Sequence, residues 1–324
     1  MKTLSYLGKK FLRVVIILLV IATFNFFLFR VLPGDPILLW ARAGQLSPEA
    51  VARLRHLFGL DQSLWIQYVR YLHNLVSGDL GLSLTYRRPV FDILRDRIPN
   101  TILLYGAATI IVFVVGILAG VVAAARRGTR LDGTIVSMSL VFWSLPAFWT
   151  GLTLLIIFGV YFKAFPVSGI SSPGAVYASS MGRAMDIARH LVLPTITLCL
   201  IETAQFVLIT RGALVDVLTE DFILTAKAKG LSSRQVLWKH AFPNALLPVV
   251  TTSAIFIGLT LGGAVQTETV FSWPGMGRLM YDAVLRRDYP ILEACFLVTA
   301  VTVVLANFLA DVLYSTLDPR VRSA

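Results

Sequence analysis

The sequence predicts an all-α membrane protein: a bundle of six crossing helices, a helical segment on one side and a structured basic loop on the other. Three observations carry this. Of 324 residues, 56% are hydrophobic and only 15% charged, where a soluble domain carries about a quarter charged. Mean hydropathy is +0.76. Six apolar runs each have the length, roughly 20 residues, that crossing the hydrocarbon requires. Backbone groups in lipid must bond within their own segment, so each run reads as a helix.

The first run covers 11–32. Lys9, Lys10 and Arg13 give it the flank of a secretory leader. It is too long for a leader's apolar core and no A-x-A site follows, so it reads as a retained first helix. Arg13 and Arg30 lie near its ends, where long side chains reach the interface. The segment 33–100 reads as folded. Ser47 and Pro48 start a helix with Val51, Leu54 and Phe58 on one face and Gly59 as its stop. Ser63 precedes a second, with Trp65, Tyr68, Leu72 and Leu75 at helical spacing and Gly78 as its stop. Phe91, Leu94 and Ile98 form a third, short stripe before Pro99, expected to lie along the membrane surface. Five more spans follow at 101–125, 134–161, 190–210, 245–265 and 291–314. The chain thus divides into 1–32, 33–100 and a five-helix part, 101–324, that includes the loop 211–244.

Six spans put both termini on one side. In the segments outside the spans, 33–100 aside, Lys and Arg number 13 on the side of the termini and 6 on the other. Loops as long as 33–100 translocate largely regardless of charge, so they are set aside. The termini, 126–133 and 211–244 are therefore expected in the cytoplasm. The net charge of +11 is explained by these loops and does not indicate nucleic acid.

Several chemistries are absent from the sequence. There is no Gly-x4-Gly-Lys-Ser/Thr phosphate loop and no Gly-x-Ser-x-Gly elbow. His56, His73, His190 and His240 have no metal-ligand spacing and read as interfacial or capping residues. Cys199 and Cys295 both lie in apolar spans, which excludes a disulfide framework or cysteine–zinc site within the chain. Ser144 reads as a packing residue beside a Pro146 kink. An intramembrane enzyme would need a paired nucleophile and base, and none stands out.

Glu202 and Gln205 share one face of the fourth span. A carboxylate there costs ~3 kcal/mol on insertion scales, so it must face protein or a water-filled path. Two readings stand: translocation-path residues, or partners of a neighbouring polar group. Asn25 and Asn307 read as interhelical links, and Gly116-x3-Gly120 and Gly258-x3-Gly262 as faces for close helix contact. The stretch ETVFSWPGMG, 268–277, reads as a turn outside the membrane, and RRDYP as the cap of the last span.

The most informative stretch is polar and basic: TAKAKGLSSRQVLWKHAFPNALLP, 225–248. It reads as two short helical pieces hinged at Gly230, the second opened by a capping box of Ser232 and Gln235. Its residues Asp221-Phe222, Thr225-Ala226-Lys227-Ala228-Lys229-Gly230-Leu231, His240-Ala241, Asn244-Ala245 and Pro248 resemble the EAA loop of bacterial ABC importer permeases of the dipeptide/oligopeptide/nickel family. LPGDP at 32–36, GLDQSLWIQYVRYL, SGDLGLSLTYRRPV, ETVFSWPGMG, RRDYP and LDPRVR at 317–322 extend the resemblance over nearly the whole chain. One departure is Leu224, where the general EAA pattern has glutamate.

The resemblance implies a permease subunit of an ATP-driven importer in the bacterial inner membrane. Its substrate would be a di- or oligopeptide, with nickel complexes, glutathione and oligosaccharides as family alternatives. The implied partners are a second permease, two ABC ATPases that carry ATP and Mg, an extracytoplasmic binding protein and membrane lipid, with no cofactor or metal on this chain. The loop would dock on an ATPase, with Asp221, Thr225, Ala226, Ala228 and Gly230 in the docking piece. Ile223, Leu231 and Val236 would supply its apolar contact, and Lys227 and Lys229 a polar rim. An ion-coupled secondary transporter would explain Glu202, but not a docking loop, and no inverted repeat is visible.

Overall fold

The structure is a computed structural model that describes residues 2–31, 47–57, 61–83 and 85–317. The expectations for LPGDP, for Phe58 and Gly59, and for the tail beyond Leu317 fall outside the described residues. The helices are α1 Lys2–Val31, α2 Pro48–Leu57, α3 Leu64–Val76 and α4 Val90–Ala125. Next come α5 Arg130–Ser144, α6 Ala147–Tyr161, α7 Ser180–Leu218, α8 Asp221–Ala228 and α9 Ser233–Leu259. The last three are α10 Val265–Val270, α11 Met276–Arg286 and α12 Tyr289–Leu317.

Among the described residues five helices are long and apolar enough to cross a membrane, and α5 with α6 makes a bent pair. The bend is 97°. Its cause is local: a residue before proline is pushed out of the helical region, and Leu145 before Pro146 is extended at φ −80° and ψ 133°.

Three helices differ from the sequence reading. The Phe91–Ile98 stripe is not a separate surface helix; it is the first part of α4, which continues through Pro99. Of the stripe, Leu94 is buried against the core of Met276, Leu279 and Ile291 and Ile98 packs beside it, while Phe91 stays 54% exposed. α7 begins ten residues before position 190 and carries Pro194 inside it. The second piece of the basic loop is no separate helix either. It is the first part of α9, joined to the span by a π-helical turn at Val236–Ala241.

Small residues set the packing. A Cβ added at Gly116 would lie 2.6 Å from the Phe206 Cβ, and one at Gly120 2.7 Å from the Thr210 Cβ. The register advances in the same direction on both helices, so α4 and α7 run parallel. At Gly258 an added Cβ would lie 2.9 Å from the Val303 Cα, which brings α9 onto α12. Both glycine pairs are therefore contact faces. Asn25 links α1 to α12 by donating to the Glu293 carbonyl at 2.9 Å. Asn307 does not link helices within the chain; it is exposed on α12.

Candidate functional site

At the end of the bundle where α7 leaves the apolar layer, α8 folds back as a short helix. The chain reverses at Gly230, whose φ of 78° lies in the left-handed region that favours glycine. Ser232 then caps α9. Its hydroxyl accepts from the Gln235 N–H while the Gln235 carbonyl accepts from the Ser232 N–H at 3.0 Å, the expected capping box.

The inward and outward faces of this loop are not those the sequence suggested. Ile223 is 0% exposed and Val236 2%, and they pack with Val121, Ala124, Leu214, Ala226 and Ala245 in one core. Ile223 and Val236 therefore hold the loop to the bundle and offer no contact surface, and Leu231 is half-buried beside them. The exposed face carries Asp221, Thr225, Lys227, Ala228 and Lys229. It also carries Phe222 and Leu224, 42% and 59% exposed. Helical spacing holds the clue to this inversion: Ile223 and Ala226 are three apart and turn inward together.

A charge pair braces the same end. The Arg211 guanidinium donates from Nε and Nη2 to the Asp132 carboxylate at 2.6 and 2.8 Å. Asp132 also accepts from the Gly128 N–H at 2.9 Å. A two-point guanidinium–carboxylate contact fixes orientation as well as distance, so the start of α5 is tied to the end of α7. Sequence reasoning missed Asp132. The Thr129-x-x-Asp132 capping spacing was the signal for the helix start, though not for the partner.

In the middle of the bundle Glu202 and Gln205 lie half-buried on α7. Among the described residues neither side chain makes a hydrogen bond, and the polar group that feels the Glu202 charge is the Tyr105 hydroxyl. Beside them Phe206 packs on Phe113 with ring centroids at 4.8 Å and on Phe256 at 5.7 Å, and Tyr105 reaches Phe256 at 6.4 Å. A carboxylate and an amide thus stand next to an aromatic wall drawn from α4, α7 and α9.

The opposite end holds a polar knot where the sequence suggested only a turn. Glu268 is fully buried. Its Oε1 accepts from the Thr101 hydroxyl at 3.0 Å and its Oε2 from the Arg278 N–H at 2.9 Å. The Thr101 hydroxyl in turn accepts from the Met276 N–H at 2.7 Å. The Trp273 indole donates to the Asn100 carbonyl and the Asn100 amide donates to the Pro274 carbonyl, both at 2.9 Å. A Cβ on Gly275 would collide with the Glu268 carboxylate. Burial pushes the Glu268 carboxyl up to about 6, against the pull of the Arg278 and Thr101 donors. Nearby, buried Asp288 accepts from the Ser83 hydroxyl at 2.6 Å and the Thr85 N–H at 3.1 Å. That pins Ser83 and Thr85 to the α11–α12 junction. Among the described residues no cluster of His, Cys, Asp and Glu has the makings of a metal site.

The chain is similar to known transport proteins over nearly its whole length. Residues 116–323 match the family model described as "Binding-protein-dependent transport system inner membrane component", and residues 3–105 match its N-terminal companion. The chain is 40% identical over 311 residues to the di/tripeptide transport system permease protein DppB of Pseudomonas aeruginosa, covering 92% of this chain and 93% of that one. It is 39% identical to the dipeptide transport system permease protein DppB of Escherichia coli K12, covering 94% and 96%. It is 35% identical to the oligopeptide transport system permease protein AppB of Bacillus subtilis, covering 98% and 99%. A solved structure of the inward-facing MetNI methionine ABC transporter superposes with TM-score 0.55 at 17% identity, over 70% of this chain and 96% of that one. At that identity the likeness concerns the fold alone.

Proposed function

The chain belongs to the binding-protein-dependent transport inner-membrane component family, and from that premise we propose that it is the permease subunit of an ATP-driven importer of di- or oligopeptides. The observation that carries the substrate class is the end-to-end match, at 35–40% identity, to permeases of peptide transport systems. The substrate would be delivered by an extracytoplasmic binding protein. A second permease completes the path, and two ATPase subunits carry the ATP and Mg.

In this reading α5 and α6 form one broken span, the bundle crosses the inner membrane six times, and the termini and the 211–244 loop face the cytoplasm. The loop docks on an ATPase through its exposed face. Phe222 and Leu224 are the apolar anchors there, with Thr225 and Ala228 between them and Lys227 and Lys229 at the rim. Gly230 sets the angle of that face, and Ile223, Ala226 and Val236 transmit its displacement to α4 and α7. Nucleotide-driven closure of the ATPases would bias the bundle between inward and outward access. Glu202 and Gln205 line the path; their lack of hydrogen-bond partners supports that role over a packing role.

The test is purification and transport together. Expressed with its neighbouring subunits, the chain should co-purify with a second permease and two ATPases. Reconstituted in liposomes with a binding protein, the complex should accumulate a labelled dipeptide only with ATP. Uptake driven by an ion gradient without ATPase subunits would overturn the reading.

A further inference from the structure

α3 is amphipathic, yet only part of its apolar surface is covered. Tyr68 and Tyr71 pack on Phe26 of α1, each with ring centroids at 5.4 Å. The Tyr68 hydroxyl shares a 2.7 Å hydrogen bond with the Thr23 hydroxyl. Beside these contacts runs an uncovered stripe. Trp65 is 70% exposed, Val69 49% and Val76 91%, at spacings of four and seven residues that place them on one face. Arg70 lies well round the helix from this stripe and is exposed, while exposed His73, four residues after Val69 and three before Val76, borders the stripe.

The depth of α3 decides what covers the stripe. The apolar stretch of α1 ends at Arg30. Thr23 lies seven residues before it, which at 1.5 Å per residue is about 10 Å inside that end. A helix bonded to Thr23 and stacked on Phe27 therefore lies at or below the hydrocarbon boundary, not above it. The stripe also continues a lipid-facing surface. Phe24 and Phe27 of α1 are exposed, Phe27 stacks on Tyr68 at 5.9 Å, and Trp65 meets Tyr68 at 5.8 Å. Trp and Tyr at this level have an apolar body and a polar tip suited to the interface.

We propose that α3 is an in-plane membrane anchor: Trp65, Val69 and Val76 insert among acyl chains of the leaflet opposite the 211–244 loop, with Arg70 toward the headgroups and His73 at the stripe's edge. This rests on α1 being a membrane span, not on the transport reading. It gives the segment between α1 and α4 a hold on the bilayer beyond its contacts with the bundle.

The experiment uses the full chain, with Cys199→Ser and Cys295→Ala, in phosphatidylcholine nanodiscs. An environment-sensitive fluorophore is attached through Trp65→Cys, Val69→Cys or Val76→Cys. Spin-labelled phospholipid should quench each roughly twofold or more while aqueous iodide has little effect, and Arg70→Cys should show the reverse order. Phe24→Cys reports on α1 and should behave like the stripe; a probe there open to iodide would remove the premise and the proposal together. Iodide quenching at 65, 69 and 76 without lipid quenching would overturn the proposal. So would shielding that arises only on adding a binding protein, which would make the stripe a protein-docking face. Should a labelled variant fail to assemble, Trp65→Phe decides: it should lower the share of tryptophan emission quenched by brominated lipid, and an unchanged share would overturn the assignment.

Discussion

Replacing Gly230 by valine separates the loop's mechanics from the bundle's stability. The residue has φ 78°, and a Cβ added there would meet nothing within 4 Å. The cost is therefore backbone alone. It is about 1–2 kcal/mol for an L-residue held in the left-handed region, and more for a β-branched one. The membrane spans lie outside this penalty; only Leu231, beside the hinge, touches the core in which Ile223 is fully buried. The chain should relieve it by re-aiming the loop, leaving the spans in place. A destabilisation of that size lowers the docking-competent fraction about 5–30-fold, and apparent affinity for the ATPase falls by the same factor. Gly230→Val should thus insert normally and keep its second permease. It should lose ATPase subunits on purification, or keep them without stimulation of hydrolysis by loaded binding protein. Gly230→Asn should retain most of both, because asparagine tolerates this region. Full ATPase retention and full stimulation by the valine variant would refute the hinge.

Glu202→Gln should lower peptide uptake in liposomes more than it lowers assembly; unchanged uptake would leave Glu202 a packing residue. Gly116→Leu forces atoms into the 2.6 Å approach to Phe206 and should cost about 1–3 kcal/mol in detergent unfolding. Gly106→Ala, whose methyl meets nothing within 4 Å, should be tolerated. The Glu268 carboxyl, held up to about 6 when folded against 4.5 in the unfolded chain, stabilises most below 4.5 and loses that contribution as pH rises through 6. Relative to Glu268→Gln, the parent should gain roughly 2 kcal/mol on going from pH 7 to pH 4.5; parallel pH profiles would show that its carboxyl titrates normally.

The crossing helices were legible because lipid permits few alternatives: apolar runs of the right length must be helical. Their ends were less so. The start of α4 carries a Phe91, Leu94 and Ile98 stripe that suits a membrane surface and a protein surface equally, and only the fold supplies Met276 and Ile291 as its neighbours. In the loop, the hinge and the capping box are local chemistry and were readable. The sign of its two faces was not, since an eight-residue helix can turn either side to the bundle. Least legible was the Glu268 knot. It joins Thr101 to Glu268, 167 residues apart, and no local pattern links two such positions.

The placement of the fixed polar contacts bears on how such a bundle moves. Asp132 and Arg211 bind at the loop end, while Glu268 and Asp288 bind at the other. Each joins segments distant in sequence with short, directed bonds. Breaking any of them leaves a buried or half-buried charge without its partner, which is costly. Between the two ends α4, α7 and α9 meet through rings, glycines and the unpartnered Glu202 and Gln205. Those contacts carry no side-chain hydrogen bond, so a change of angle there breaks none. A push on α8 reaches α4 and α7 through Ile223, Val121 and Leu214, and the Arg211–Asp132 contact carries α5 along with α7. The far end resists because its knot gathers α4, α10 and α11 into one unit. On the proposed function, a bundle pinned at both ends by directed bonds and joined between them by packing would turn displacement of the loop into a change of angle at the level of Glu202, where the path must open.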